Sequence, residues 1–329
     1  MHYQESDFDR IQFSEVFNRL DGSKIVEYLT CPRKFFFRHI LGWESIYPNK
    51  HLIYGGALHK ALEFLYSHFP YNEDGTVKLE MIEAAYSEFI SYYREYFGPE
   101  ADTLNKPKSP EYVLPSLIAY LAEYKADWTD NEVLKVEMHG HVPINASGQE
   151  VYFRMDTVLR DTNLAVYALE HKTGSMAGQT WVDQWILAIQ TLIYVHALKY
   201  NYTQENIFGI KINGIIAAKR KEVLPENINL LRVPIRFTDY QLAEGLSNLS
   251  RIVNKIHEDM HLLMEEEKDI QTYMRSFHRN PTSCTNYNTT CRFHTICAMA
   301  RNPLKTCNQI PDGFKVGRWD PRDEATSEV

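Results

Sequence analysis

Near its middle the sequence changes from helical to strand periodicity, and this change limits the possible folds more than any other feature. Before residue 128, apolar residues recur at helical spacing in several successive segments. Segments 133–144, 151–159 and 164–172 instead alternate or run apolar and are rich in β-branched and aromatic residues. Short polar turns separate these three segments, as is typical of consecutive antiparallel strands. The pattern predicts an α/β chain with a helical N-terminal part.

Helix signals and strand signals divide the rest of the chain. The segments predicted as helices before the strands are 23–28, 32–43, 56–68, 79–97 and 112–128. After the strands, the sequence predicts a helix over 178–200, strands over 207–219 and 230–237, and a helix over 238–268. Ser23 and Thr238 are the predicted N-caps, and Pro32 suits the first position of its helix.

The composition narrows the class of protein. With 329 residues, 44% of them hydrophobic and 24% charged, the chain has the composition of a folded globular protein, not of a disordered or collagen-like one. No segment approaches the roughly 18 apolar residues of a membrane span, and the polar, acidic N-terminus is unlike a signal peptide, so we expect a cytoplasmic protein. The formal net charge of −8 disfavours nucleic-acid binding through bulk charge and limits any DNA site to a local patch.

Two carboxylates and a lysine fall on neighbouring predicted strands. Asp156 lies within the second strand, and Glu170 and Lys172 end the third. Alternate residues of a strand face the same side, so Glu170 and Lys172 project together while His171 offers its backbone carbonyl. Carboxylates and a carbonyl suit Mg²⁺ or Mn²⁺, which activates water and neutralises charge on a phosphodiester. The alternative is a solvated edge strand with alternating charges, although the apolar sequence before Glu170 makes an exposed charge there less natural.

Together with residues on two predicted helices, this set resembles the RecB-like branch of the PD-(D/E)xK nuclease superfamily. The residues that carry the resemblance are, in chain order, His59, Asp156, Glu170, Lys172, Gln190 and Tyr194. Gln190 and Tyr194 match the family's QxxxY motif, and Glu137 stands where a supporting acidic residue is often found. Met155 departs from the pattern, because the motif has proline at that position.

The resemblance implies a role for each matched residue. Asp156, Glu170, His59 and the backbone of His171 would hold Mg²⁺ or Mn²⁺, and Lys172 would be the catalytic lysine. The QxxxY pair would contact DNA and support the site. The implied fold is a restriction-endonuclease-like mixed β-sheet flanked by helices. Taken alone, His59 and the QxxxY residues are equally compatible with ordinary packing on amphipathic helices.

Four of the five cysteines indicate a metal–thiolate site. Cys284, Cys291 and Cys297 are separated by six and five residues, and Cys31 lies far before them. Thiolates bind iron–sulfur clusters and structural zinc, and wide gaps favour the larger cluster over the short knuckles of zinc sites. The arrangement resembles the iron–sulfur staple of AddB-like nucleases and of the CRISPR-adaptation exonuclease family, in which the first gap is often two residues. This resemblance implies that the four cysteines hold a 4Fe-4S cluster. Cys307 has no assigned partner and is interpreted as a free thiol, with replacement of one of the four ligands as the alternative.

Two basic segments are candidates for DNA contact. Their residues are Arg33, Lys34, Arg38, Lys219 and Arg220. In the first segment the basic residues interleave with three phenylalanines, Phe35, Phe36 and Phe37. Such a mixture suits pairing with phosphates and stacking on unpaired bases. A solvated helix face above a phenylalanine core is an equally consistent interpretation.

The resemblance spans nearly the whole chain and implies one nuclease domain stapled by the cluster. Its predicted parts are an N-terminal arm (1–22), a domain (23–310) made of a helical part (23–130), a catalytic core (131–237) and a C-terminal helix and cysteine region (238–310), and an acidic tail (311–329).

The predicted activity is metal-dependent hydrolysis of DNA by an exonuclease that processes single strands or ends in recombination, repair or phage DNA metabolism. The sequence has no G-x4-G-K-[ST] motif, so unwinding would require a partner such as a helicase. Two alternatives stay open. One is a non-catalytic DNA-binding or assembly subunit that retains the nuclease fold, and the other is a DNA-binding module with structural zinc.

Overall fold

The computed structural model describes residues 19–218, 223–266, 273–286, 289–299, 302–305, 307 and 309–317. The chain divides into two compact units that are not contiguous in sequence. The first consists of the chain up to Tyr47, His141–Phe153 and the chain from Ala243, and the second of Pro48–Gly140 and Arg154–Leu242. The single nuclease domain stays a prediction.

Helices dominate the first part of the chain, and strands occupy its middle. The helices are α1 (Gly22–Thr30), α2 (Pro32–Phe35), α3 (Lys50–Ser67), α4 (Leu79–Arg94), α5 (Asp102–Asn105), α6 (Val113–Glu123), α7 (Ala126–Thr129), α8 (Gln179–Asp183), α9 (Ile189–Asn201), α10 (Asp239–Glu266) and α11 (His294–Met299). The strands are β1 (Trp43–Ser45), β2 (Glu132–Pro143), β3 (Glu150–Arg160), β4 (Ala165–Gly174), β5 (Asn206–Ile216), β6 (Asn229–Ile235), β7 (Thr285–Asn286), β8 (Thr289–Thr290) and β9 (Phe314–Val316). In the described part of the chain, no helix is both long and apolar enough to span a bilayer.

A mixed five-stranded sheet, in the order β2-β3-β4-β5-β6, runs through the middle of the chain. Strands β3 and β4 pair antiparallel, whereas β4 and β5 pair in parallel because α9 connects them as a crossover. Strand β6 returns antiparallel to β5. The strands lie where the alternating sequence predicted them, and the predicted mixed sheet flanked by helices is confirmed.

The core of the second unit is rich in aromatic residues. Helices α3, α4 and α6 contribute apolar faces whose side chains are fully buried. Helix α3 begins at Lys50 rather than at Gly56, because the Asn49 side chain caps it by accepting the N–H of His51 at 2.9 Å. This earlier start makes α3 an 18-residue helix, long enough to bury one side from Tyr54 to Tyr66.

The helix predicted over 178–200 is interrupted. It consists of α8 and α9, separated by turns around Trp185. The hydroxyl of Thr191 lies 3.0 Å from the carbonyl oxygen of Trp185 and 2.6 Å from that of Ala188, which satisfies backbone acceptors without a continuous helix. The break places Gln190 in the first turn of α9, next to the end of strand β4.

The first unit contains the aromatic segment that was a candidate for DNA contact. Phe35, Phe36 and Phe37 are buried, and Phe37 stacks on Trp43 with ring centroids 5.4 Å apart. Fully burying one such side chain contributes about 1.5–3 kcal/mol. This gain explains why the rings form a core. The helix predicted over 32–43 ends early: α2 passes into a π-helical turn, and Trp43 begins β1, which pairs antiparallel with β9.

Near the two ends of the predicted domain, the cap of the first helix and the structure of the C-terminal segment differ from the predictions. The N-cap of α1 is Asp21, whose side chain accepts the N–H groups of Ser23 and Lys24 at 2.6 and 3.0 Å, so Ser23 is not the cap. At the other end, Phe314–Val316 forms strand β9 within the segment predicted as a tail. Thr238 caps α10 as predicted and exchanges hydrogen bonds with Gln241.

Candidate active site

The predicted catalytic residues meet in the second unit, at the end of two neighbouring strands. Strands β3 and β4 are in register at Thr157 and Leu169, so the next pair along is Asp156 and Glu170. Side chains directly opposite each other in an antiparallel pair have Cβ atoms about 4.5–5.5 Å apart. Both carboxylates are buried. The register therefore brings two acidic groups together without any contribution from the loops.

The Asp156 carboxylate is held at both oxygens. One oxygen accepts the backbone N–H of His171 at 2.6 Å, and the other lies 3.1 Å from Nδ1 of His59 on α3. Burial disfavours the charged carboxylate, but the neighbouring His59 outweighs this effect, and the pKa of Asp156 falls below its usual range. Asp156 is therefore an anion whose direction is fixed by the backbone of β4.

His59 bridges the two groups that the resemblance assigns to a metal. Its Nε2 lies 2.9 Å from the carbonyl oxygen of His171, and its Nδ1 faces Asp156. Both neighbours are acceptors, so the ring donates from both nitrogens and is an imidazolium in this arrangement. Burial opposes that charge, yet the Asp156 carboxylate prevails and raises the pKa of His59 to about 9.

The backbone and the ring of His171 face different surroundings, as predicted. Its carbonyl points to His59, and its ring stacks on Tyr66 with centroids 5.6 Å apart. Burial of the ring lowers the pKa of His171 to about 3, so the imidazole is neutral. Only the main chain of His171 takes part in the site.

The two carboxylate oxygens of Glu170 have different surroundings. Its Oε1 accepts Nζ of Lys172 at 2.5 Å and Nε2 of Gln190 at 2.9 Å. Its Oε2 is buried and has no hydrogen-bond partner among the described residues. Burial and the neighbouring Asp156 raise the pKa of Glu170 to about 7. A buried carboxylate oxygen without a donor fits a cation ligand, because leaving it bare is costly.

The QxxxY residues hold Glu170 from α9. Gln190 also donates to the hydroxyl of Tyr194 at 2.8 Å, and that hydroxyl donates to the backbone carbonyl of Arg154 on β3. The Arg154 side chain pairs in turn with Glu137, which has a positive φ of 51°. Burial and Asp156 raise the pKa of Glu137 to about 7. The motif thus links α9 to β3 and fixes the direction of the Glu170 carboxylate.

The donor set suits a hard divalent cation. Two carboxylates, a carbonyl and an imidazole are ligands that Mg²⁺ and Mn²⁺ accept, and Oε2 of Glu170 is directed at no other group in the described chain. No group of three or more His, Cys, Asp or Glu side chains in the described ranges has the arrangement of a metal site. In this structure the N–H groups of the His59 ring contact the Asp156 carboxylate and the His171 carbonyl. A bound cation would replace these contacts.

A protein-family model places this site in a known group. The model of the PD-(D/E)XK nuclease superfamily matches residues 22–298, a range that contains every residue of the site. The chain belongs to this superfamily. No curated protein matches the chain. The solved structure described as "Crystal structure of SSO0001" is 18% identical to this chain, and the match covers 64% of this chain and 86% of that one with a TM-score of 0.25.

Membership makes this protein a nuclease-type hydrolase and confirms the superfamily part of the resemblance. It leaves the iron–sulfur branch as a prediction, and the cysteine geometry bears on it. Cys31 is buried, and its sulfur accepts the N–H of Asn280 at 3.5 Å. Burial raises the pKa of Cys297 to about 11, and Cys31 and Cys291 are close enough to add to this effect. The N–H of Cys291 donates to the Cys284 carbonyl at 2.8 Å, so the segments carrying the four cysteines are neighbours in the first unit.

All five cysteines lie at described positions, and none of them forms a disulfide bond. Cys307 is buried and donates to the carbonyl of Leu304 at 3.3 Å. The thiol of Cys307 thus has a backbone partner in the structure. That Cys307 is not a cluster ligand stays a prediction.

The residues predicted to contact DNA in the first unit have protein partners. Arg33 is buried and donates to the carbonyl of Phe277 at 2.9 Å, while Lys34 pairs with Glu27 at 2.8 Å. Arg38 pairs with Glu44 at 2.7 Å. Lys219 and Arg220 lie outside the described residues.

The sequence did not reveal a buried polar network behind His171. Arg232 on β6 makes two hydrogen bonds of 2.7 Å to the Asp127 carboxylate, and its Nε donates to Asn213 at 2.6 Å. Asn213 donates to Tyr120, whose hydroxyl lies 2.7 Å from that of Tyr66. Tyr66 donates to Asp127, so Tyr120 donates to Tyr66 and the network closes on itself. These rings form the surface against which the His171 ring packs.

We expect Asp127→Ala to lower the free energy of unfolding by about 3 kcal/mol, because it leaves the partly buried Arg232 guanidinium without its counter-charge and removes the buried acceptor of the Tyr66 hydroxyl. Denaturant titration measures this loss. The control is Glu132→Ala, which removes an ion pair with Arg160 whose carboxylate is mostly exposed, and which we expect to cost about 1 kcal/mol or less. Equal losses in the two variants would show that the network does not stabilise the second unit.

Proposed function

We propose that this member of the superfamily is a divalent-metal-dependent deoxyribonuclease that acts as an exonuclease on single strands or DNA ends. The observation that carries the metal dependence is the unsatisfied Oε2 of Glu170, buried beside the Asp156 carboxylate. A bound cation would compensate both the missing hydrogen bond and the neighbouring negative charges. The exonuclease mode rests on the resemblance to nucleases that process DNA ends.

We assign Asp156, Glu170, the carbonyl of His171 and His59 as ligands of Mg²⁺ or Mn²⁺, with His59 giving up one proton when it binds the ion. Such an ion lowers the pKa of bound water and neutralises charge on the phosphodiester. Two hydrogen bonds orient the carboxylate ligands before an ion binds. The His171 N–H orients Asp156, and Gln190 orients Glu170. Because these supporting bonds come from the backbone of β4 and from α9, the carboxylates keep their direction when a substrate arrives.

Lys172 supplies the positive charge of the site. Its ammonium lies 2.5 Å from Glu170 and over the ring of Trp185, at 5.6 Å from the ring centroid. An ammonium fixed beside the metal ligands stabilises negative charge that develops on the phosphoryl oxygens and orients the attacking water. The rigid strand and the aromatic ring limit where Nζ can move.

The proposed mode of action is tested by incubating the protein with end-labelled linear single-stranded DNA and, separately, with internally labelled circular single-stranded DNA. We expect nucleotides to be released from linear DNA in Mg²⁺ or Mn²⁺, no release in EDTA, and intact circles throughout. Cleavage of the circle would overturn the exonuclease assignment while keeping the nuclease. An inert wild-type protein would favour a non-catalytic subunit that retains the fold.

We also propose that Cys31, Cys284, Cys291 and Cys297 bind a 4Fe-4S cluster. Support comes from the Asn280 N–H directed at the Cys31 sulfur and from the backbone hydrogen bond between Cys291 and Cys284. Backbone N–H groups directed at sulfur are among the features that tune such clusters. The cluster would hold helix α2 against the cysteine segment of the same unit, a structural role.

A further inference from the structure

An apolar surface lies between the catalytic strand and helix α9. The segment 175–188 contains Trp181 and Trp185, which are partly exposed, and the side chains of Met176 and Leu187, which are 81% and 87% exposed. Its one ionisable side chain is Asp183, which accepts Nε2 of Gln179 at 2.6 Å. Large exposed apolar side chains grouped next to a site are typical of binding surfaces rather than of solvated loops.

Packing holds this surface against the end of the catalytic strand. The ring of Trp181 covers Gly214 so closely that a Cβ on that glycine would lie 2.4 Å from the indole. Trp181 and Trp185 meet edge to face, with ring centroids 5.6 Å apart. The position of the pair is therefore fixed by strand β5 and not only by the loop that carries it.

One member of this tryptophan pair contacts a residue of the candidate active site. The Trp185 ring contacts Nζ of Lys172 by a cation–π interaction. The ammonium of Lys172 and the two indole rings therefore lie side by side, and a cation next to aromatic faces suits the phosphates and the bases of a nucleic-acid strand.

We propose that Trp181 and Trp185, with Met176 and Leu187, form a stacking surface for unpaired bases of the strand that is being cut. The inference rests on the proposed nuclease function and names its substrate class, single-stranded DNA. Every base has a π face that stacks on an aromatic side chain, whereas a duplex hides those faces between neighbouring base pairs. Because Trp185 contacts Lys172 of the active site, we infer that the DNA strand bound at the active site is what occupies this surface.

Binding of a labelled oligothymidylate and of a blunt labelled duplex, in EDTA to prevent cleavage, tests the inference. We expect Trp181→Ala to weaken binding of the single strand by about 5-fold or more. Binding of the duplex should change by less than about 2-fold, since its bases do not reach the rings. Trp181→Phe should recover most of the affinity, because it keeps an aromatic face.

Two further variants separate stacking from folding. Met176→Ser combined with Leu187→Ser changes only exposed side chains, and we expect weaker single-strand binding with an unchanged melting temperature. Tyr240→Ala removes an exposed aromatic ring elsewhere in the second unit and should have no effect on binding. Equal losses for single strand and duplex, or no loss in Trp181→Ala and in the double variant, would overturn the inference.

Failure of the inference differs from failure of the proposed function. A wild-type protein that cuts DNA, while Trp181→Ala and the double variant both bind the single strand normally, would overturn only the stacking surface. A wild-type protein that cuts no DNA in Mg²⁺ or Mn²⁺ would remove both.

Discussion

Replacing Lys172 with alanine is expected to slow DNA cleavage by about 10²–10⁴-fold, the range typical of removing one group that acts on the transition state. Among the described residues, Lys172 is the one whose cationic side chain forms an ion pair with Glu170, at 2.5 Å. Without it, the pKa of Glu170 rises further and its carboxylate becomes a poorer ligand. Single-turnover cleavage of a labelled single strand measures the effect.

The matched control is Lys199→Ala, on helix α9 of the same unit. Lys199 pairs at 2.6 Å with Asp239, whose carboxylate is almost fully exposed, so its loss should leave the cleavage rate unchanged. A Lys172→Ala protein that cuts at the wild-type rate would show that the ammonium has no part in the chemistry.

Replacing Cys31 with alanine is expected to remove iron and to lower the melting temperature of the protein. Metal bound at a structural thiolate site contributes its binding free energy to folding, so losing one ligand costs several kcal/mol, about 2–4 °C for each kcal/mol. Metal analysis of the purified protein and thermal unfolding measure both effects.

Cys307→Ala provides the comparison for that experiment, since Cys307 is also buried but bonds to the Leu304 carbonyl. We expect it to keep the wild-type iron content. Zinc in place of iron would identify the alternative metal site. Equal metal content in the two variants would contradict the assignment of Cys31 as a ligand.

The strands and the catalytic residues on them were predictable because their signals are local. Alternation in 151–159 and 164–172 sets which side chains share a face, and a short turn sets the antiparallel register. Asp156 and Glu170 then have to meet. The QxxxY spacing places Gln190 and Tyr194 on one side of a helix, and the structure shows what this achieves, a chain of bonds from β3 to Glu170.

The interruption between α8 and α9 was not predictable, because the apolar spacing continues through the turn around Trp185. The polar network next to the His171 ring was also not predictable from the sequence. Arg232 and Asp127 are 105 residues apart and leave no periodic signal, and only the sheet and the aromatic core bring them together. Phe35, Phe36 and Phe37 show the opposite problem. Their pattern suits a core and a stacking surface equally, and in the structure all three are buried in the core.

The most direct test of the account compares DNA cleavage by the wild-type protein, Asp156→Asn and Glu170→Gln as Mg²⁺ is added to metal-free protein. Both substitutions keep the shape of the side chain and remove its charge, so each should abolish a metal-dependent activity that the wild type shows. Cleavage that persists in EDTA, or that survives in both variants, would contradict a metal site built on these two carboxylates.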